Sequence, residues 1–227
     1  TIGVGFIGNQ TFGAQYHNAR TILLHDIARA MDFALFGNMS ESMIYRRRGP
    51  IRHLRRGYYS LLETLDQLRL GAVARRLPRY AVWQDIKRRE PYVPYFAFLA
   101  ERQRPPVYGL EMYRTIQRFK VGLNGHGPSA YASNMRLYDT TGAGACLLTD
   151  WKQNLHELFE PDSEVVTYRS AEEAVEKARY LLDHDDERRA IAAAGQKRTL
   201  RDHTYAQRVK QLDAYIREHM RGTNTGS

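Results

Sequence analysis

Polar and apolar positions along the chain follow two alternating patterns. Short β-branched or aromatic runs read as strands at Thr1–Gly8, Asp32–Gly37 (DFALFG), Lys120–Asn124, Ala145–Asp150 (ACLLTD) and Glu164–Tyr168 (EVVTY). Pro106–Gly109 is a further strand candidate, third in chain order. Helix-period segments separate these runs: His17 to Met31, Leu110–Phe119, a helix beginning near Asn134, and two long helices that end the chain. Strands alternating with helices require a parallel sheet covered on both faces. The fold class expected is therefore α/β, a doubly wound, Rossmann-like parallel sheet of about six strands. Ser170 with Glu173, and Thr204 with Gln207, have the spacing of capping boxes at helix starts. Gly195 falls inside a helical pattern, where glycine costs ~1 kcal/mol against alanine, so close packing is expected there.

Charge divides the chain. Of 227 residues, 34 are Lys or Arg and 25 Asp or Glu, a formal net charge of +9. Residues 41–104 carry 15 basic and 6 acidic side chains, so that stretch holds the whole excess. The expected organisation is a Rossmann-like lobe begun by residues 1–40, a basic and mostly helical insertion at 41–104, the rest of the lobe with its C-terminal helices at 105–220, and a disordered tail at 221–227. Leu54, Tyr58, Leu61, Leu62, Leu65 and Leu68 form one apolar stripe in the insertion. No apolar run approaches the ~18–20 residues of a membrane span. One cysteine, Cys146, excludes an intrachain disulfide framework. The chain opens at Thr1 without an initiator methionine, as a piece of something longer would.

Two motifs carry less than they promise. Gly3-Val4-Gly5-Phe6-Ile7-Gly8 matches G-x-G-x-x-G, but its first two glycines sit within the strand pattern and no acidic residue ends the second strand. A nicotinamide site needs the glycines after the strand, at the helix start. Asp183 and Asp185 flank His184 between two helical runs, where Asp185 suits a helix N-cap better than a metal. No Cys/His cluster has ligand spacing, and no metal is expected.

The stretch 122–144 is the informative one. A strand ends at Asn124, and a loop of Gly, His, Pro and Ser leads into a helix near Asn134. Ligands of open parallel sheets bind beyond the carboxyl ends of the strands, so this loop faces the crevice. Ser133 or Asn134 can cap the helix, whose free N–H groups suit a pyrophosphate. Arg136 adds charge if it turns toward that anion, and Asp139 is placed to accept hydrogen bonds from sugar hydroxyls. The plainer alternative is a capped core helix with a solvated Arg136–Asp139 pair.

With the segments VYGLEMYRTIQ, VGLNGHG, NMRLYDTTGAGACLLTD, DDERRAIAAAGQKR and HTYAQR, the chain resembles the C-terminal lobe of group-1 glycosyltransferases of the GT-B fold, in the spore-maturation-protein-like branch. The opening VGFIGN, HNAR and LFGN resemble that lobe's first strand, helix and second strand. The resemblance implies that the lobe binds a nucleotide-diphosphate sugar for metal-independent transfer to an unknown acceptor, with no cofactor. It places Asp139 at the nucleotide ribose, the backbone N–H groups of Ser133, Asn134 and Met135 at the diphosphate, and Tyr108 and Gly109 at the base. Gly8 and Asn9 match the glycine loop after the first strand, Arg20 reaches toward the phosphates, and His126 lies near the donor. Tyr131 stands where related transferases carry a carboxylate at the donor sugar. No catalytic residue is assigned.

The family's architecture needs two lobes, and 227 residues supply one, so an N-terminal lobe is the expected missing partner. The competing reading is a non-catalytic module whose basic insert contacts nucleic acid or an anionic membrane. Arg46, Arg47, Arg48, Arg52, Arg55 and Arg56, near Tyr58 and Tyr59, motivate it. Of those two partners, nucleic acid is the less favoured, and a solvated helical face is the commoner fate of such runs. The placement expected is cytoplasmic, with peripheral membrane contact as its variant.

Overall fold

A computed structural model describes residues 1–12, 15–41, 51–78, 80–81, 83–84, 93–127, 129–132 and 134–223. Six parallel strands build one sheet: β1 (Ile2–Ile7), β3 (Phe33–Phe36), β5 (Gln103–Arg104), β6 (Phe119–Leu123), β7 (Cys146–Asp150) and β8 (Val166–Tyr168), in the order β5-β3-β1-β6-β7-β8. Two short strands, β2 (Gln10–Phe12) and β4 (Met39–Glu41), pair with each other beyond the ends of β1 and β3. The chain starts in the middle of the sheet, winds outward to β5, then returns to the other side of β1. The order reverses between β1 and β6, and that switch point sets where a ligand can sit.

Alternation along the strands separates two cores. Val4, Phe6, Val121, Leu123, Cys146, Leu148, Val166 and Tyr168 face one side. There they meet Leu23, Leu24 and Ile27 of α1 (Gln15–Ala30) and Ala174, Ala178 and Leu181 of α8 (Ala171–Asp183). Ile7, Ala34 and Phe36 turn the other way, toward Ile116 of α5 (Gly109–Ile116). Leu147, also on that face, packs with Leu137 of α6 (Arg136–Gly142) and Leu155 of α7 (Leu155–Leu158). A Cβ on Gly122 would lie 2.3 Å from Thr140 Cγ2, so glycine in β6 lets α6 press onto the sheet. Burial pushes the Cys146 thiol up to about 12, leaving it inert at neutral pH.

The third strand departs from expectation. Residues 106–108 are irregular, and the pairing with β3 is made by Gln103 and Arg104, both exposed. An edge strand of two polar residues has no hydrophobic pattern to read. Apart from the strand residues Glu41 and Gln103–Arg104 and short turns, the described part of the stretch 41–104 is helical, with α2 (Ile51–Gln67), α3 (Gly71–Ala74) and α4 (Val93–Ala100). Leu62, Ala74 and Trp83 make a small separate core with Tyr58, Leu65, Leu77 and Tyr80. By contrast, Leu99 of α4 belongs to the main core, and Tyr95 and Phe98 set their rings edge-on to His25 of α1.

At the C-terminal end, Ser170 Oγ accepts from the Glu173 N–H at 3.2 Å, and Glu173 returns a bond to the Arg169 N–H. Thr204 Oγ1 likewise accepts from the Gln207 N–H at 3.3 Å. Between these caps runs α9 (Asp185–Asp202), so three helices rather than two end the chain. Asp185 sits inside the first turn instead of capping it, and its carboxylate pairs with Arg188 and, at 2.7 Å, with Arg189. Gly195 is tightly packed, since a Cβ there would stand 2.3 Å from the Glu164 carbonyl oxygen. The last helix, α10 (Tyr205–Thr223), runs into the expected tail, whose residues 224–227 lie outside those described.

Candidate functional site

The loop after β1 builds the first wall of the crevice at the switch point. Gly8 donates its N–H to the Phe36 carbonyl at 2.9 Å, and a Cβ on Gly37 would come within 2.2 Å of the Gly8 oxygen. The loops after β1 and β3 therefore touch, and only small residues fit where they cross. Asn9 Oδ1 accepts from the Asn38 N–H at 3.0 Å, which holds the loop in place. Arg20 of α1 donates Nη2 to the Asn9 carbonyl at 3.1 Å and Nε to Gln10 Oε1 at 3.2 Å. A guanidinium charge thus stands at the carboxyl end of β1. Gln10 is 1% exposed, and its Nε2 has no partner among the described residues.

The loop after β6 forms the second wall. The His126 side chain is 1% exposed, with Nδ1 2.6 Å from Asp150 Oδ1. Its backbone N–H donates to both oxygens of the same carboxylate, at 2.9 and 3.1 Å. Lys152 Nζ adds an ion pair to Asp150 at 3.1 Å and donates to the Gly127 carbonyl. Burial pushes the Asp150 carboxyl up, but the two hydrogen bonds from His126 and the nearby positive charges outweigh it and hold the group below its usual value. Tyr168 donates its hydroxyl to the Asn124 carbonyl at 2.6 Å, and burial keeps that phenol well above its usual range. Asn124 Nδ2 donates to Thr149 Oγ1 at 3.0 Å, and Asn134 Nδ2 donates to Asn124 Oδ1 at 2.9 Å. His126 Nε2 and Asn134 Oδ1 are buried and without partners among the described residues.

The third wall is the start of α6. Its N-cap is Met135, without a side-chain cap bond, so Asn134 spends its amide on Asn124 instead of capping. Ser133 lies outside the described residues. Arg136 turns away from solvent. It donates Nε to the Ile7 carbonyl at 3.1 Å and pairs through Nη1 with Asp139 Oδ2 at 2.5 Å. The pair is half-buried rather than solvated, with the Asp139 side chain 7% exposed. Tyr113 of α5 donates its hydroxyl to Asp139 Oδ1 at 2.9 Å, and that bond, ahead of burial, raises its pKa. Tyr108 and Gly109 are exposed at the start of α5, and Tyr131 and Met135 are exposed near the start of α6.

Gly8, Asn9, Arg20, His126, Asn134, Arg136 and Asp139 thus converge around the ends of β1 and β6. Sequence reasoning missed Gln10, Tyr113, Asn124, Thr149, Asp150, Lys152 and Tyr168. The signal for Asp150 was a carboxylate closing the strand next to β6, the same topological position that singled out His126. A recess of about 510 Å³ opens at the opposite, amino end of the strands, lined in part by Arg118, Lys120, Arg188 and Arg189. Asp185 already pairs with three of those cations, Lys120, Arg188 and Arg189, and ligands of parallel sheets bind at the carboxyl ends, so the crevice remains the candidate. Among the described residues, no group of three or more His, Cys, Asp or Glu is placed to hold a metal. Arg46, Arg47 and Arg48 lie outside the described residues, as do the side chains of Arg52, Arg55, Arg56 and Tyr59.

Comparison with known proteins bears on the fold. A search of curated proteins by sequence finds no match. Among solved structures, Anabaena Alr3699/HepE in complex with UDP superimposes with a TM-score of 0.57 at 9% identity, over 95% of this chain and 48% of that one. Sucrose-phosphate synthase (tll1590) from Thermosynechococcus elongatus gives 0.56 at 12% identity, over 96% and 45%. The C-terminal domain of the group 1 glycosyl transferase LpcC from Francisella tularensis gives 0.50 at 9% identity, over 89% and 86%. The chain spans about half the length of the first two and most of the third, which is a single C-terminal domain. At these identities the likeness shows the fold, one lobe of the GT-B kind. The family model described as glycosyl transferase-like matches residues 20–214, and the chain belongs to that family.

Proposed function

We propose that this lobe binds a nucleotide-diphosphate sugar and presents it for glycosyl transfer to an acceptor held by a second lobe. One observation carries the reading: the buried atoms Gln10 Nε2, His126 Nε2 and Asn134 Oδ1, without partners among the described residues, all lie beyond the carboxyl end of β1 or β6, the strands that flank the switch point. Each unpaired buried polar atom costs about 1–3 kcal/mol, so the crevice favours a ligand rich in hydrogen-bonding groups. HepE has been crystallised with UDP and with UDP-glucose, which supports the same ligand class here. In this reading Arg20 and the Gly8–Asn9 loop meet the diphosphate, together with the backbone of Ser133, Asn134 and Met135. Asp139 meets the ribose, and Tyr108 and Gly109 flank the base. As the glycosidic bond breaks, negative charge grows on the leaving diphosphate. Arginine and backbone N–H groups stabilise that charge without requiring a metal.

Calorimetric titration with UDP, GDP, dTDP, ADP and the matching nucleosides tests the reading. One diphosphate is expected to bind more tightly than its nucleoside, with that advantage cut about tenfold in Arg20→Ala. Failure of every diphosphate to bind would contradict it.

A second surface has its own supporting observation. Leu61, Leu68, Leu70 and Val73 are exposed around the α2–α3 corner, and Arg69, Arg75 and Arg76 are exposed beside them. Apolar side chains ringed by arginine suit peripheral contact with an anionic membrane. Sedimentation with phosphatidylcholine vesicles, with and without phosphatidylglycerol, tests this: binding should require the anionic lipid and be lost in Leu68→Asp.

A further inference from the structure

The recess at the amino ends of the strands holds more positive charge than the fold consumes. The turn before β6 brings Arg118 to it, β6 itself brings Lys120, and the start of α9 brings Arg188 and Arg189. One carboxylate in the lining, Asp185, faces these four cations. It pairs with Arg188, with Arg189 at 2.7 Å and with Lys120 at 3.8 Å. The hydrogen bond from Arg188, ahead of the neighbouring positive charges, holds the Asp185 carboxyl below its usual value, so it is ionised at neutral pH. A single negative charge still leaves three positive ones uncompensated in the lining. Arg118 has no partner among the described residues. Arg188 is buried, and its Nη1 donates to the Leu181 carbonyl at 3.1 Å, so its guanidinium is fixed before any ligand arrives. The hollow that these cations line measures about 510 Å³, the size of a small-molecule site.

We propose that this recess is a second anion site, separate from the crevice, for a small phosphorylated ligand carrying two or more negative charges. Arginine predominates among its cations, and the planar guanidinium fork matches phosphate oxygens two at a time. The hollow exceeds what one phosphate fills and suits two linked phosphate groups or a phosphorylated small molecule. A nucleotide base gains nothing here, because the one aromatic side chain in the lining, Phe119, is buried in the core. Recognition is therefore by charge, not by base. The site also stands clear of the crevice. Strands β6 and β7 open beside the recess at Phe119 and Cys146 and end at the crevice. Each is five residues long, which at roughly 3.3 Å per residue puts about 16 Å of packed sheet between the two sites.

Inorganic pyrophosphate is the probe, with inorganic phosphate and glucose 6-phosphate beside it and sodium chloride matching the ionic strength. Titrations of the isotope-labelled full chain, followed by amide NMR, should show saturable pyrophosphate shifts at Lys120, Gly144 and Arg189, at lower concentration than phosphate requires. Whichever of pyrophosphate and glucose 6-phosphate binds more tightly names the source of the phosphate groups. Arg118→Ala combined with Arg189→Ala changes two exposed side chains and should weaken pyrophosphate about tenfold without unfolding the chain. Arg75→Ala combined with Arg76→Ala removes the same charge from the α2–α3 corner and should leave binding within about twofold. Equal loss in the two double variants would overturn the proposal, since it would mean attraction by net charge alone. So would shifts confined to Gly8, Asn9 and His126, or no saturable shift at the recess up to about 10 mM pyrophosphate. Arg20→Ala should leave the recess response unchanged, so this result stands or falls apart from nucleotide binding in the crevice.

Discussion

His126 and Asp150 are joined twice, through the imidazole Nδ1 at 2.6 Å and through the His126 backbone N–H at 2.9 Å, so one carboxylate fixes both the loop after β6 and the ring it carries. The carboxylate is itself steadied by Lys152. Loop position and side-chain tautomer are therefore not independent in this lobe.

Asp150→Asn should destabilise the fold by about 2 kcal/mol at pH 7, the scale of a charge-assisted hydrogen bond. The folded-state pKa of Asp150 is lowered, so its contribution is fully present above the unfolded value of about 3.9 and is lost as pH falls through the folded value. Urea melts from pH 7 to pH 3 should show the native advantage over Asp150→Asn holding to about pH 4 and shrinking below it.

His203 reads pH in another window. Its ring lies 2.7 Å through Nε2 from the Leu158 carbonyl and 3.1 Å through Nδ1 from Arg208, an arrangement that suits the neutral ring. Burial lowers its pKa, ahead of the other influences. Stability linked to this ring is full above the unfolded value of about 6.5 and declines as pH falls below it. The native chain should therefore lose more stability than His203→Gln between pH 7.5 and 5.5, as followed by thermal melts.

Two glycines in helices should respond in opposite directions. Gly195→Ala places a methyl 2.3 Å from the Glu164 carbonyl, and should cost about 1–3 kcal/mol as α9 is pushed off the start of β8. Gly57 in α2 has nothing within 4 Å of its missing Cβ, so Gly57→Ala should stabilise by up to about 1 kcal/mol. Denaturant midpoints of the two variants check the contrast.

Arg136 and Asp139 should be strongly coupled. Either single alanine leaves a half-buried charge without its partner, about 3 kcal/mol, whereas the double variant removes both. A double-mutant cycle should give a coupling of at least about 1 kcal/mol, and additivity would mean that the pair contributes nothing to the fold.

Most of the sheet was legible because buried central strands are near-continuous apolar runs. The runs Phe33–Phe36 and Cys146–Leu148 leave little choice of element. The edge strand β5 was not, because Gln103 and Arg104 carry no apolar pattern, although the Arg104 guanidinium lies over the Phe36 ring of β3. Helix α6 reads from sequence as starting near Asn134, but that side chain is drawn off by Asn124, a residue ten positions away that only the fold brings near. The crevice itself was legible from topology, which puts ligands at strand ends. Gln10, Thr149 and Asp150 were not, since a polar residue closing a strand usually marks only its end. Their orientation depends on hydrogen bonds across β6 and β7, and no spacing along the chain records it.

The central claim is that the crevice between β1 and β6 is the nucleotide site. Amide chemical-shift mapping tests it most directly, with isotope-labelled protein titrated with UDP, GDP, dTDP and ADP in turn. The account expects one of them to perturb Gly8, Asn9, Gly125, His126 and Met135 first and most. Perturbations confined to the α2–α3 corner, or to Arg118, Lys120 and Arg189 at the amino end of the sheet, would contradict it.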